Sequence, residues 1–193
     1  MEEKLKKEKG FFMYWPEKGP VNTGPTVELA LARAGELGVG HLVVASNSGQ
    51  TARLLVGKGF QVVCVTHHVG FTGPGKDEMP GEVRRELADA GVRLLTTTHL
   101  LAGVDRGVRN QFGGVYPAEI IAQSLRLLGQ GLKVCVEVSV MALDAGLIPA
   151  GREVVAVAGT GAGADTAAVI LPSHASHFFA TRVKEIVCKP REC

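Results

Sequence analysis

The stretch from His41 to Thr66 constrains the fold more than any other part of this chain. It reads as strand, polar loop, helix, strand: HLVVA is a short apolar run, SNSGQT follows at once, ARLLVGKG gives a short helix with its stop, and QVVCVT gives a second strand. Ser46, Asn47, Ser48, Gly49, Gln50 and Thr51 therefore sit between a strand's carboxyl end and a helix N-terminus. Free backbone N–H groups and the positive end of the helix dipole suit that position to an anion. The hydroxyls of Ser46, Ser48 and Thr51 can add donors, and Gly49 lets the backbone come close to a ligand. Ser and Asn are also ordinary capping residues, so the same loop reads equally as a capped turn.

The rest of the chain repeats the alternation. Phe11 to Trp15 reads as a first strand ending at Pro16, and a helix capped by Asn22 or Thr23 runs to about Gly38. Val27, Ala30, Leu31, Ala34 and Leu37 mark its apolar face. After Thr66 comes a long glycine-rich loop, His67 to Gly75, of the kind that more often carries function than not. Pro80 to Ala90 is a second amphipathic helix, and VRLLTTT is a strand ending on Thr96, Thr97, Thr98 and His99. Leu100 to Phe112 reads as a short helix and a loop with Arg106 and Arg109, and Gly113-Gly114 breaks the chain. AEIIAQSLRLLGQG is a helix with Ile120, Ile121, Ser124, Leu125 and Leu128 expected to face inward. LKVCVEV reads as a near-continuous apolar strand, MALDAGLIPAGR as a short helix and turn, and EVVAVAG and AAVIL as two further strands. The tail FFATRVKEIVCKPREC reads as a short helix and a last edge strand that stops at Pro190.

Apolar strands alternating with helices predict an α/β fold: a mostly parallel sheet covered on both faces, with ligands bound beyond the strands' carboxyl ends. The loops expected there are Ser46–Thr51, Thr66–Gly70, Thr96–His99 and Gly159–Thr166. Their convergence at one edge makes a ligand site the favoured expectation.

Composition narrows the function classes. At 193 residues, 46% hydrophobic and 21% charged, the chain has the size and balance of one globular domain. A net charge of +2, with no basic stripe interleaved with aromatics, argues against a dedicated nucleic-acid binder. The FFMYW run is too short for a signal-peptide core or a membrane span, so a cytoplasmic address is expected. Four cysteines, Cys64, Cys135, Cys188 and Cys193, show no C-x-x-C spacing and are expected to be reduced and structural.

Gly159-x-Gly161-x-Gly163 is not a dinucleotide fingerprint, because the strand-like AAVIL follows it where a helix is required. Two readings stand: a glycine-rich hairpin, or a backbone nest near a ligand with Asp165 beside it. No G-x-x-x-x-G-K-[ST] is present, which argues against a P-loop kinase.

Two segments together resemble a known domain. HLVVASNSGQTARLLVGKGFQVVCVT is similar to the effector loop of the pyruvate kinase C-terminal domain, where a Ser/Thr-Gly loop cradles a sugar phosphate; AGREVVAVAGTGAGADTAAVI is similar to that domain's closing strand, glycine loop and strand. Over nearly its full length the chain resembles the stand-alone "pyruvate kinase alpha/beta domain-like" proteins of archaea and bacteria. The shared marks are NTGPTVELA, VVASNSGQTA, VTHHVGF, QFGG, GLKVCVEVSVMALDAG, GADTA and KEIVCKPR. The resemblance implies a three-layer α/β/α sandwich, no catalytic barrel and hence no phosphoryl transfer from phosphoenolpyruvate, and association with flavin mononucleotide (FMN). Carried onto this chain, it places the phosphate on Ser46, Ser48, Gly49, Gln50 and Thr51, with Gly159, Thr160, Gly161 and Asp165 as the opposing wall. Gln50 stands where the kinase loop often has arginine, which speaks against a bisphosphate sugar.

Further candidates lie at the predicted strand ends. Adjacent His67 and His68 would point to opposite sides of a strand, so a shared metal is not expected; contact with a flavin ring or proton donation by His67 or His99 is. Glu137 interrupts an apolar strand and needs a partner, either a basic residue in a salt bridge or a ligand. Phe112, Gly113 and Gly114 could offer a ring and open backbone to a planar ligand, or form only a turn. Ser173-His174-Ala175-Ser176-His177 lacks a nucleophile elbow and a partner acid and reads as surface loop. Two functions are expected from different classes: an FMN protein in which the flavin carries oxidoreductase chemistry, or a non-catalytic module that binds a phosphorylated metabolite and regulates a partner. A homodimer is the expected assembly for a compact α/β domain of this kind.

Overall fold

The computed structural model describes residues 12–192; Phe11, Cys193 and the charged run Glu2–Lys9 lie outside them. Its centre is a seven-stranded sheet in the order β1-β7-β6-β5-β2-β3-β4. The strands are β1 (Met13–Trp15), β2 (His41–Ala45), β3 (Gln61–Thr66), β4 (Arg93–Thr96), β5 (Val154–Ala158), β6 (Thr166–Leu171) and β7 (Arg182–Pro190). β2 pairs in parallel with β3 and β5, β3 with β4, and β1 with β7, whereas β6 is antiparallel to both of its neighbours. The expected mostly parallel α/β sheet is therefore present, with one strand reversed. β7 is not the edge that the tail suggested: β1 covers it, with Met13 opposite Cys188 and Trp15 opposite Pro190.

The period-2 alternation of the central strands separates two cores. Leu42, Val44, Val62, Cys64, Val155 and Val157 face one side, where α1 (Thr23–Leu37), the single turn α2 (Gln50–Arg53) and α3 (Gly81–Asp89) pack. Val43, Val63, Val65, Val154 and Ala156 face the other side and meet α6 (Gln130–Asp144). Two further helices, α4 (Val104–Phe112) and α5 (Pro117–Arg126), precede α6, and α5 packs on it. The result is the expected three-layer α/β/α sandwich.

LKVCVEV is helix, not strand: it forms the first half of α6. The β-branched, apolar run misled because α6 is enclosed nearly all round, with Leu132, Cys135, Val136, Val140 and Ala142 among its buried residues. A helix buried on every side shows no amphipathic period, and a short apolar run then cannot be told from a strand. Leu132 is fully buried between helix and sheet. On α5 the inward face also differs from expectation: Ile120, Ser124 and Leu128 are exposed, Ile121 and Leu125 half-buried, and Ala122 buried. On α1, Val27, Ala30 and Ala34 are buried as expected, and Leu37 is exposed at the helix end.

Cys64, Cys135 and Cys188 are free and buried. Burial pushes the Cys64 thiol up to about 12 and that of Cys188 up to about 11. No helix among the described residues is long and apolar enough to cross a membrane.

Candidate functional site

The carboxyl ends of β2, β3 and β5 open onto two adjoining clefts. The hydroxyl cleft, about 650 Å³, is lined by Ser46, Ser48, Gln50, Thr51 and the 161–163 turn; the ring cleft, about 310 Å³, is lined by His67, Phe71, His99 and one face of α6. Ala45, Asn47, Gly161 and Gly163 line both, so the two volumes are continuous around the end of β2.

The loop after β2 is held by its neighbours rather than by its own short helix. The Ser46 amide donates to Val65 O at 3.0 Å, extending the β2–β3 ladder by one residue. Asn47 clamps the next loop: its Oδ1 accepts from the His67 amide at 3.0 Å, and its Nδ2 lies 3.2 Å from His67 Nε2. The hydroxyls of Ser46, Ser48 and Thr51 form no hydrogen bond among the described residues, and all three residues line the hydroxyl cleft. Three donors thus remain for a ligand. Gly49 has another reason to be glycine than the expected close approach of ligand. Its φ is 83°, and a Cβ there would meet Val83 Cγ1 at 2.6 Å, so the loop presses on α3.

The loop after β3 supplies the rings. His67 and His68 lie beyond the strand, which ends at Thr66, so the strand alternation does not separate them. His67 stacks on Phe71 with centroids 3.7 Å apart, and His99 stands 5.2 Å from His67 and 5.7 Å from His68. His67 Nδ1 lies 2.6 Å from a Glu78 carboxylate oxygen. An ionised carboxylate accepts only, so the ring proton sits on Nδ1, and Nε2 accepts from the Asn47 amide. Burial holds the His99 imidazole below its ordinary range, with the Glu137 carboxylate opposing and His67 adding to the shift. His99 is therefore neutral at pH 7. Among the described residues no group of three or more His, Cys, Asp or Glu side chains could hold a metal ion.

α6 supplies the charged wall. Lys133 and Glu137, one turn apart, are almost wholly buried and form an ion pair; Glu137 Oε1 also accepts from the Leu101 amide at 2.8 Å. Both residues line the ring cleft, beside Val134, Val138 and Met141. The partner that Glu137 needed is thus the salt bridge. Removing either ion would leave the other unpaired in low dielectric.

The structure reassigns several expected residues. Asp165 is fully buried and reaches no cleft: its Oδ2 accepts from the amides of Gly19 and Thr160 at 3.0 and 3.1 Å, and its Oδ1 accepts from Thr166 Oγ1 at 2.8 Å. It shapes the opposing wall and lines neither cleft. The glycine loop is the hairpin between β5 and β6. Gly163 packs on the turn before α1, where a Cβ would meet Thr23 Oγ1 at 2.5 Å; Gly159 and Gly161 line the ring cleft. Thr66 is buried with its hydroxyl spent on His67 O and Thr96 Oγ1. Phe112, Gly113 and Gly114 are exposed at the α4–α5 corner and line neither cleft, which removes them from the site. The 173–177 segment does have a partner acid, contrary to expectation: His174 Nδ1 lies 2.7 Å from Asp144 Oδ1, at an exposed position.

Phe71, Glu78, Arg106, Arg126 and Lys133 were not among the expected site residues. Phe71 and Glu78 fall in the 67–80 loop, whose path no periodicity encodes. Lys133 had a signal: Gln130, Lys133 and Glu137 recur at helical spacing, a polar stripe that becomes visible once 130–144 is read as helix.

A family model for the pyruvate kinase alpha/beta domain matches residues 25–170. Among solved structures, a pyruvate kinase from Cryptosporidium parvum is 18% identical, with 75% of this chain and 21% of that chain covered at a TM-score of 0.39. The Cryptosporidium parvum enzyme in complex with ADP is likewise 18% identical, covering 75% of this chain and 22% of that chain, with a TM-score of 0.38. The chain thus spans about a fifth of the length of the kinases it matches. With well over half of its residues matched by that family model and its seven strands and covering helices in the corresponding α/β arrangement, the chain belongs to the pyruvate kinase alpha/beta domain family.

Proposed function

We propose that this protein binds a phosphorylated small molecule with a planar ring, and that FMN is that molecule. The observation that carries the reading is the continuity of the hydroxyl cleft, with its three unpaired hydroxyls, and the ring cleft through Asn47. Volumes of about 310 and 650 Å³ lie within the range of roughly 300–1,000 Å³ usual for small-molecule sites. The residues fit the group. Ser46, Ser48 and Thr51 would donate to the phosphate; Phe71, His67 and His99 offer ring faces, and Val65, Val134 and Val138 an apolar floor. Bound FMN supplies one- and two-electron chemistry. Neutral His99 and the Glu78-oriented His67 would hold protons at the edge of the ring, and Asn47 would keep His67 in place.

The visible absorption spectrum of the purified protein, and of protein titrated with FMN, tests this. Oxidised-flavin bands that co-purify or appear on saturation are expected, and Ser48→Ala with Thr51→Ala should weaken FMN about tenfold or more, since hydrogen bonds to a charged phosphate are being lost. A protein that stays colourless after reconstitution would defeat the flavin.

One observation favours a second reading, a non-catalytic module regulated by a phosphorylated metabolite. The hydroxyl cleft is the larger of the two and has no aromatic ring in its lining, so a sugar phosphate could occupy it alone. Thermal stabilisation by sugar phosphates in a colourless protein would support that reading.

A further inference from the structure

Beyond the ring cleft, between α4, α5 and the start of α6, lies a pocket of about 190 Å³ lined by Arg106, Arg109, Arg126, Lys133 and Glu119. Arg106, Arg126 and Lys133 also line the ring cleft, so the pocket opens into the far end of the proposed ligand site. Its charges do not balance. Arg109 is paired with Glu119 at 2.5 Å and Lys133 with Glu137, which leaves two guanidinium groups with no carboxylate. Arg126 Nε donates only to the neutral Gln130 Oε1, at 2.6 Å. The Arg106 side chain has no hydrogen bond or ion pair among the described residues. Lys133 is 5% exposed and neutralised by Glu137, so the positive surplus of the pocket is carried by the two guanidinium groups. The fifteen-residue α6 begins at Gln130 and adds the positive end of its dipole.

We propose that Arg106 and Arg126, beside the Lys133–Glu137 pair, form a second anion site, which takes the phosphate or carboxylate group of a second small molecule bound at the far end of the clefts. The proposal rests on the phosphorylated-ligand reading for its account of what lies beside the site. FMN carries a single phosphate, which the β2-loop hydroxyls would take, so the anion on the guanidinium pair belongs to a separate small molecule seated against the ring. Arginine suits the second place because its planar fork donates twice to one oxyanion.

Backbone amide shifts recorded while inorganic phosphate replaces chloride at constant ionic strength test the assignment. Two saturable sets are expected, one over residues 46–51 and one over 101–106 and 126–133. Arg106→Ala with Arg126→Ala should weaken the second set about tenfold or more and leave the first unchanged. Arg106→Ala alone, at an exposed side chain with no partner, keeps the test open should the double variant fold poorly, and it should weaken the second set by a smaller factor. Shifts over 101–106 and 126–133 that never saturate, or that survive these variants, would overturn the proposal. Loss of only the 46–51 set in the Ser48→Ala, Thr51→Ala protein shows two separate anion sites, as proposed. A wild-type protein that saturates only over 101–106 and 126–133 keeps the second site and removes the β2 loop from the first reading.

Discussion

At the β2 end of the clefts the unpaired polar groups are the hydroxyls of Ser46, Ser48 and Thr51, with Glu78 engaged by His67; at the α6 end the polar groups are charged and carried by a helix buried on nearly every side. Ser46, Ser48 and Thr51 keep their hydroxyls unpaired, whereas Glu137 accepts from both Lys133 and the Leu101 amide. The three hydroxyls can therefore be removed with little effect on the fold. The charges of the helix cannot, because each is the condition for burying the other. Binding and stability are thus separable at one end and entangled at the other.

The largest effect should come from breaking the ion pair. Glu137→Ala strands a buried ammonium and should cost about 3–5 kcal/mol in urea denaturation, whereas Lys133→Met combined with Glu137→Leu should recover most of that loss. Equal destabilisation by the single and double variants would show that the stranded ammonium is not the source of the loss. Gly49→Ala comes next: its left-handed backbone and the contact with Val83 should cost about 1–3 kcal/mol by the same measurement, even without ligand. Ser48→Ala with Thr51→Ala should move stability by no more than roughly 0.5 kcal/mol while weakening phosphate ligands, which sharpens the contrast between the two ends.

The smallest effect is on pH. His99 has a folded-state pKa below its unfolded value, so between the two the unfolded chain binds the extra proton. Its contribution is fully present above the unfolded pKa of about 6.5 and is lost as pH falls towards the folded value. Denaturation midpoints followed downwards from pH 7 should fall, and His99→Asn should flatten the slope. A slope unchanged by the substitution would transfer the effect to another group.

The loop end was legible because its signal is local. An apolar run, a hydroxyl-rich hexapeptide and a second apolar run specify strand, loop and strand without reference to the rest of the chain. The helical end was hidden for a tertiary reason. Enclosure between sheet and α5 removes the polar face by which a helix is recognised, and the valines and cysteine of LKVCVEV then imitate a strand. Glu137 was identified as needing a partner, and Lys133 can be that partner because the segment is helical: in a strand the two would stand two repeats apart, and in a helix they are neighbours one turn apart. Asp165 was placed beside the site for its sequence position, but three hydrogen bonds take up its oxygens. Phe112 failed for another reason, since nothing in QFGG shows that α4 ends away from the clefts.

The pairing of β1 with β7 has a consequence for the order in which the protein comes together. Met13 lies opposite Cys188, and Arg191 donates its amide to Trp15 O at 2.9 Å, so this edge joins residues from opposite ends of the described chain. Synthesis proceeds from the amino terminus, and domains begin to organise as they emerge. The β2–β3–β4 ladder can assemble while the tail is still in the ribosome. Of the described strands β1 is translated before the others but pairs only with β7, so it is among the last of them to dock.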